Sequence, residues 1–286
     1  MESNLFFSVV IPTYERPDDL RICLNSLSKK VQLGAPTYEV IVTDDSKSDE
    51  SKKLVKNEFP NVFWGKGKQN GPAGNRNAGV ARAKGRWIVF LDDDCIAQEG
   101  YLEAYAKEIN SNPEILVFEG RIFPDRKRKT WAEGCPENES GGMLWTSNLC
   151  VNHKLFSKMG GLDERFEVAF EDVDFAQRLN SLGLKVVFVH KASVCHPWRS
   201  LRKGGKNWKS KNYELNSLEI FLKKHPESYL THGSPRTYIS HFLRIVTKDF
   251  IYCIFALRGR GIDILFQQAV NSLRIALVAF KLKAKL

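Results

Sequence analysis

The sequence has little that would staple it covalently or hold it across a bilayer. None of its six cysteines (Cys23, Cys95, Cys135, Cys150, Cys195 and Cys253) form a CxxC pair, and several sit inside apolar runs, where cysteine acts as a small hydrophobe. A reduced, cytosolic compartment is therefore expected. No uninterrupted apolar run approaches the roughly 20 residues needed to span a bilayer, and Phe250 to Leu257 is the longest near the tail. A signal peptide is not expected either, because no basic segment precedes the first apolar stretch and Pro12 interrupts it early. The sequon Asn138-Glu139-Ser140 should then stay unmodified. Internal repeats and low-complexity segments are absent.

What the chain does have is an ordinary globular composition with its charge unevenly placed. Hydrophobic residues at 43% and charged residues at 27% allow a sizeable core in one large α/β domain with appendages. The formal net charge is +10, and residues 234–286 hold nine Lys or Arg against only Asp249 and Asp263. The tail carries most of the surplus.

Strand-like and helix-like stretches alternate from the start. "FFSVVIP" reads as a strand stopped by Pro12, and "RPDDLRICLNSLSKK" as a helix with Leu20, Cys23, Leu24 and Leu27 on one face. "YEVIVTDDS", a helix over "DESKKLVKNEF", the glycine-opened "GPAGNRNAGVARAKG" and the strand "RWIVFLDDD" follow. This alternation predicts βαβ units and a mainly parallel sheet flanked by helices. Ligands of such sheets sit beyond the carboxyl ends of the strands, where "PTYERP", "DDSKSD" and "DDDC" should converge. Further on, "ILVFEGRIF", "MLWTSNLCVN" and "LKVVFVH" read as strands and "EDVDFAQRLNSLG" as a helix. Pro124 to Ser140 is polar and poorly patterned, and "WRSLRKGGKNWKSKN" suggests a mobile basic loop.

Asp92, Asp93 and Asp94 end an apolar strand, where crowded like charges repel unless a cation sits among them. On an extended chain Asp92 and Asp94 face one way and Asp93 the other, so the outer pair makes a hard oxygen site for Mg²⁺ or Mn²⁺. The bland alternative is a solvated acidic turn. Asp44 or Asp45 can accept hydrogen bonds from a base or ribose, or can cap the following helix. Gly71 and Gly74 allow close backbone approach, and Arg76 suits a phosphate or base edge, unless they are a turn and a surface arginine.

In this order and spacing, "SVVIPTYERPDDLRICLNSL", "EVIVTDDSKSD", "NGPAGNRNAGVARAKGRWIVFLDDD" and "GGLDERFEVAFEDVDFAQRLNSLGLKV" resemble the family 2 glycosyltransferases of the GT-A fold. The resemblance covers roughly residues 7–197; Glu15 departs from it, standing where the family often has Asn. It implies a GT-A catalytic domain over 1–233, with a nucleotide-sugar half (1–96) and an acceptor half (97–233), before a basic helical extension over 234–286. A nucleotide-diphosphate sugar, UDP favoured, would be held by Pro12, Thr13, Tyr14, Asp44 or Asp45, Gly74, Arg76, Asp92 and Asp93. Asp92 and Asp94 would be the DxD motif for Mn²⁺ or Mg²⁺, with His196 as a further metal or phosphate contact. Asp172 would be the general base of an inverting displacement, Glu171 would orient it or the acceptor, and Asp174 would be structural beside Arg178. Trp145, Asn148 and Gly161 fall where the family contacts a saccharide or lipid-linked glycan acceptor, and Arg199 and Arg202 could close over the diphosphate.

In the tail, Ile262, Leu265, Phe266, Ala269, Val270, Leu273, Leu277 and Phe280 recur at helical spacing among Arg258, Arg260 and three terminal lysines. An amphipathic helix lying on an anionic membrane surface is expected, peripheral on the cytoplasmic face. The alternative is packing on the catalytic domain or on a second copy in a homodimer. A sugar-1-phosphate nucleotidyltransferase is the nearer rival, but "PTYERPDD" lacks its glycine-rich signature. A nucleic-acid-binding protein would use the Trp198 and Trp208 basic loop, yet the predicted site is acidic and no such motif appears, so no nucleic-acid partner is expected.

Overall fold

A computed structural model of the chain describes residues 5–201, 208–228 and 234–283. It divides into two compact units, one of residues 1–125, 136–167 and 171–197 and the other of 126–135, 168–170 and 198–286.

The first unit is built on one sheet. β1 (Phe7–Thr13), β2 (Tyr38–Asp44), β3 (Phe63–Lys66) and β4 (Trp87–Leu91) form its parallel half in the order β3-β2-β1-β4. The sheet continues through β8 (Asn148–Asn152), β6 (Val117–Pro124), β9 (Val186–His196) and β5 (Ile96–Ala97). β8 and β5 run against their neighbours, so the sheet is mixed but mainly parallel, as the alternation predicted.

The strands are apolar on both faces because both faces are covered. In β1, Phe7, Val9 and Ile11 join the core containing Leu20, Cys23 and Leu24 of the first helix, α1 (Pro17–Ser26), and Leu27 just beyond its end. Val10 points the other way. In β4, Trp87, Val89 and Leu91 share the α1 side, while Ile88 and Phe90 share the side of Ala73 and Val80 from α3 (Pro72–Val80). α2 (Glu50–Glu58) returns the chain between β2 and β3 and buries Leu54 and Val55. This period of two carries each strand end to a fixed side of the sheet.

Three local readings differ from the structure. Of "MLWTSNLCVN" only Asn148–Asn152 is strand, because the backbone N–H groups of Gly142, Met143 and Leu144 donate to the buried Glu119 carboxylate instead of to a neighbouring strand. The last strand runs on to His196, since "KASVCH" pairs with β6 beyond an irregularity between Gly120 and Arg121. The third is α4 (Tyr101–Ser111), unforeseen in the sequence, which buries Tyr101 and Tyr105. α5 (His153–Lys158) is capped by Asn152, whose side chain accepts from the Leu155 N–H at 3.2 Å, and α6 (Glu171–Ser181) ends before Gly183.

The second unit takes up sequence that looked unpatterned. β7 (Glu133–Gly134) pairs antiparallel with β10 (Arg199–Ser200), so the start of the basic stretch is strand and not loop; its residues 202–207 lie outside the described residues. Helices α7 (Trp208–Lys224), α8 (Pro235–Arg244), α9 (Phe250–Phe255) and α10 (Ile262–Lys283) follow, with a π-helical turn over Ile245–Asp249 joining α8 to α9. Their core gathers Trp131, Ile245, Cys253, Leu257, Leu265 and Ala269, and Trp131 Nε1 donates to Gln268 at 2.7 Å. Ile262–Phe280, with a mean hydropathy of 1.2, is long and apolar enough to cross a membrane by length and composition, although Asp263, Gln267, Gln268, Asn271 and Arg274 break it into short apolar runs. Only 28% of it is buried.

Candidate active site

The carboxyl ends of β1, β2 and β4 meet at an acidic cluster in the first unit, but not in the arrangement the strand period predicts. Strand β4 ends at Leu91 and the chain turns, the Cys95 N–H donating to the Asp92 carbonyl at 3.1 Å. Asp92 therefore faces α3, where its Oδ1 accepts from Arg76 Nη2 at 2.6 Å. Asp93 and Asp94 lie together instead: both accept from Arg16 Nη1, at 3.0 and 2.9 Å. The second oxygen of Asp93 accepts from Thr13 Oγ1 at 2.7 Å.

Arg76 is buried, not a surface residue. It bridges Asp92 at the end of β4 to the start of α6, with Nη1 donating to Glu171 Oε1 at 3.1 Å, while its Nε has no hydrogen-bond partner among the described residues. Burial works against its charge, yet Asp92 and Glu171 outweigh burial and hold it firmly protonated. Glu171 and Asp172 open α6. Burial pushes Glu171 up to about 7 despite Arg76, raises Asp172 as well, and lifts Asp93 to about 7 despite Arg16. Asp172 Oδ1 accepts the Val173 N–H at 2.8 Å. Such displaced carboxylates concentrate where proton transfer or charge stabilisation is needed.

His196, the final residue of β9, reaches this cluster. Its Nδ1 donates to the Pro197 carbonyl at 2.9 Å, and its Nε2 lies 3.3 Å from Asp94 Oδ1, an ion pair when the imidazole is protonated. Asp94, Cys95 and His196 each offer a ligand atom within 4.8 Å of one another. Burial raises the Cys95 thiol well above its usual range, so Asp94 and His196 are the natural donors, an oxygen–nitrogen pair of the kind that Mg²⁺ or Mn²⁺ accepts.

The remaining predicted residues fall in different places. Tyr14 is exposed beside Thr13. Asp44 is occupied on both oxygens, by the Ser46 N–H at 2.8 Å and Trp64 Nε1 at 3.1 Å, while Asp45 accepts the Gln69 N–H at 2.9 Å. Gly74 sits against the Asn70 side chain, which a Cβ would strike. Asn148 lies in the core, not on a surface: its Oδ1 accepts from Tyr101 and Tyr105 at 2.9 and 2.7 Å, and its Nδ2 donates to the Arg121 and Ala192 carbonyls. Gly161 has φ 74° in a turn held by Arg178, which donates to its carbonyl at 2.7 Å and to Asp174 at 2.8 Å, the structural pairing read for Asp174. Trp145 is half-buried against the core. Arg199 belongs to the second unit, and Arg202 lies outside the described residues. The sequence reading missed Arg16, although a basic residue two positions after Tyr14 at a strand end was the available signal.

The family model for glycosyl transferase family 2 matches residues 8–171. Glycosyltransferase AglE of Haloferax volcanii is 27% identical over 214 residues, 70% of this chain and 69% of that protein. The GalNAc(5)-diNAcBac-PP-undecaprenol beta-1,3-glucosyltransferase of Campylobacter jejuni is 32% identical over 36% of this chain and 34% of its own length. The crystal structure of S. aureus TarS resembles it with a TM-score of 0.56 and 16% identity, over 86% of this chain and 54% of TarS, so the fold is shared. With a strand-end acidic site on a mixed GT-A sheet and a family model matched over more than half its length, the chain belongs to glycosyl transferase family 2 and is a glycosyltransferase.

Proposed function

We propose that this glycosyltransferase moves a sugar from a nucleoside diphosphate, UDP favoured, to a hydroxyl of a saccharide or lipid-linked glycan, with inversion at the anomeric carbon. The observation that carries the reading is the Arg76 bridge, which joins the Asp92 strand end to the Glu171–Asp172 helix start in one site. Asp172 accepts the proton of the acceptor hydroxyl as its oxygen bonds to the anomeric carbon, and the bond from that carbon to the diphosphate breaks with its electron pair leaving on the diphosphate. Glu171, held by Arg76, orients the acceptor. Thr13 and Tyr14 line the donor side, and Asp45 offers a carboxylate to the nucleoside, whereas Asp44 shapes the loop that carries it.

Asp94 and His196 would hold Mn²⁺ or Mg²⁺, with Asp92 on the donor side through Arg76. When bound, the cation supplies a Lewis acid beside the departing diphosphate. The acceptor class follows from relatives: one Campylobacter relative is named for an undecaprenol-linked substrate and TarS for poly(ribitol-phosphate).

Membrane association is proposed for the second unit. Phe255 is 80% exposed, and Val270, Leu277 and Phe280 of α10 are 67 to 70% exposed, beside Arg258 and Arg260. Asp263 and Arg274 interrupt α10, which favours a helix lying in the interface of a cytoplasmic membrane face over one crossing it.

The donor site is tested by thermal shift with UDP, dTDP, GDP and CDP, each with and without Mn²⁺, on the wild type and Asp94→Ala. Stabilisation by one nucleotide that needs Mn²⁺ and is lost in the variant is expected. No shift with any nucleotide would count against the reading.

A further inference from the structure

Arg16 is the cation at the acidic cluster that the reaction above leaves without a role, and its placement is built rather than incidental. Glu15, just before it, has φ 54°, a left-handed conformation that a residue with a Cβ rarely adopts. The turn is clamped: Glu15 Oε1 accepts the backbone N–H groups of Lys47 and Ser48 at 2.7 and 3.1 Å, Oε2 accepts from Ser48 Oγ at 2.6 Å, and the Glu15 N–H donates to Ser46 Oγ at 2.7 Å. The Arg16 carbonyl then accepts the Leu20 N–H at 3.0 Å and starts α1.

Held between clamp and helix, the side chain folds back over the strand ends. A single nitrogen, Nη1, reaches Asp93 at 3.0 Å and Asp94 at 2.9 Å; the arginine side chain is 50% exposed and each carboxylate 6%. The guanidinium is thus a positive cover on the solvent side of two buried acids. It uses Asp94 Oδ2, while Asp94 Oδ1 faces His196 Nε2. A divalent cation arriving at the Asp94–His196 pair meets a fixed positive charge a few ångströms away and an acid already half neutralised. A nucleoside diphosphate brings negative charge that interacts favourably with both cations at once.

We infer that Arg16 is a positioning residue that sets binding order: it keeps the affinity of the Asp94–His196 pair for a lone divalent cation low and makes tight cation binding depend on the diphosphate. This rests on the reading of the cluster as the donor and cation site. By linkage, the diphosphate and the cation each strengthen binding of the other, and Arg16 enlarges that coupling.

The test is Mn²⁺ binding to the full chain, read from the electron paramagnetic resonance of unbound aqueous Mn²⁺, with and without UDP, dTDP, GDP or CDP, for wild type, Arg16→Gln and Arg16→Lys. Arg16→Gln is expected to bind Mn²⁺ alone about tenfold tighter, with the nucleotide enhancement reduced by a similar factor. Arg16→Lys keeps the charge and should stay near wild type. Mn²⁺ affinity unchanged or weaker in Arg16→Gln, with wild type binding normally, would overturn this inference and leave the cation site standing. No Mn²⁺ binding to any of the three proteins with any nucleotide would overturn both.

Discussion

Glu171 accepts a hydrogen bond at 3.1 Å from the buried guanidinium of Arg76, which also donates to Asp92 at 2.6 Å and so ties the start of α6 to the end of β4. Arg76→Met would leave Asp92 and Glu171 without their shared cation. Loss of one partner of a buried ion pair costs about 3–5 kcal/mol, so melting should fall by roughly 10 °C. Calorimetry of the apo protein checks this, and an unchanged melting temperature would mean the bridge contributes nothing to stability.

The raised Glu171 carboxyl sets a pH dependence of stability. Its pKa is about 7 when folded against an ordinary 4.5, so the folded state binds the proton more tightly. The contribution is fully present below about 4.5 and is lost as pH rises to about 7. Urea titrations across that window should show stability falling with pH, and Glu171→Gln should flatten the fall.

Asp172→Asn removes the proposed base and keeps the shape of the helix start. Transfer should drop by about 10²–10⁴-fold while nucleotide affinity holds, because a positioned general base is worth that much. Single-turnover kinetics beside nucleotide titration separates the two, and a variant with wild-type transfer would remove Asp172 from the role.

Asn148 distinguishes an acceptor contact from a core strut. Its side chain holds two tyrosine hydroxyls and two backbone carbonyls, so Asn148→Leu should destabilise by about 2–4 kcal/mol through buried groups left unpaired. At a temperature where the variant remains folded, the acceptor KM should not move. A raised KM with unchanged stability would reverse the assignment.

The apolar surface of the second unit predicts vesicle binding. Phe255→Ser combined with Phe280→Ser removes two rings that are 80 and 70% exposed and should sharply reduce co-sedimentation with anionic liposomes without lowering the melting temperature. Equal sedimentation of wild type and variant would argue for a protein partner on that face.

Much of this was legible because it is local. An apolar run that gives way to Asp92 reads as a strand end in any context, whereas β1 pairs on through Pro12 to Thr13; Leu20, Cys23 and Leu24 mark a helix face that the structure buries. What failed were features decided by distant partners. "MLWTSNLCVN" has strand composition throughout, but Glu119 takes its N–H groups, and no local rule announces a carboxylate from another strand. Asn148 looked like a polar residue at a site because its four core partners come from three separate stretches.

By itself the sequence determined the mainly parallel sheet, the convergence of acidic strand ends and the family, since these depend on side-chain period and on residues spaced along single segments. Only the tertiary structure decided which acid faces which cation. The period of two stops with the strand at Leu91, so the turn through Asp94 points Asp92 to Arg76 and leaves Asp93 and Asp94 to Arg16 and His196, partners contributed by α3, the β1–α1 turn and β9.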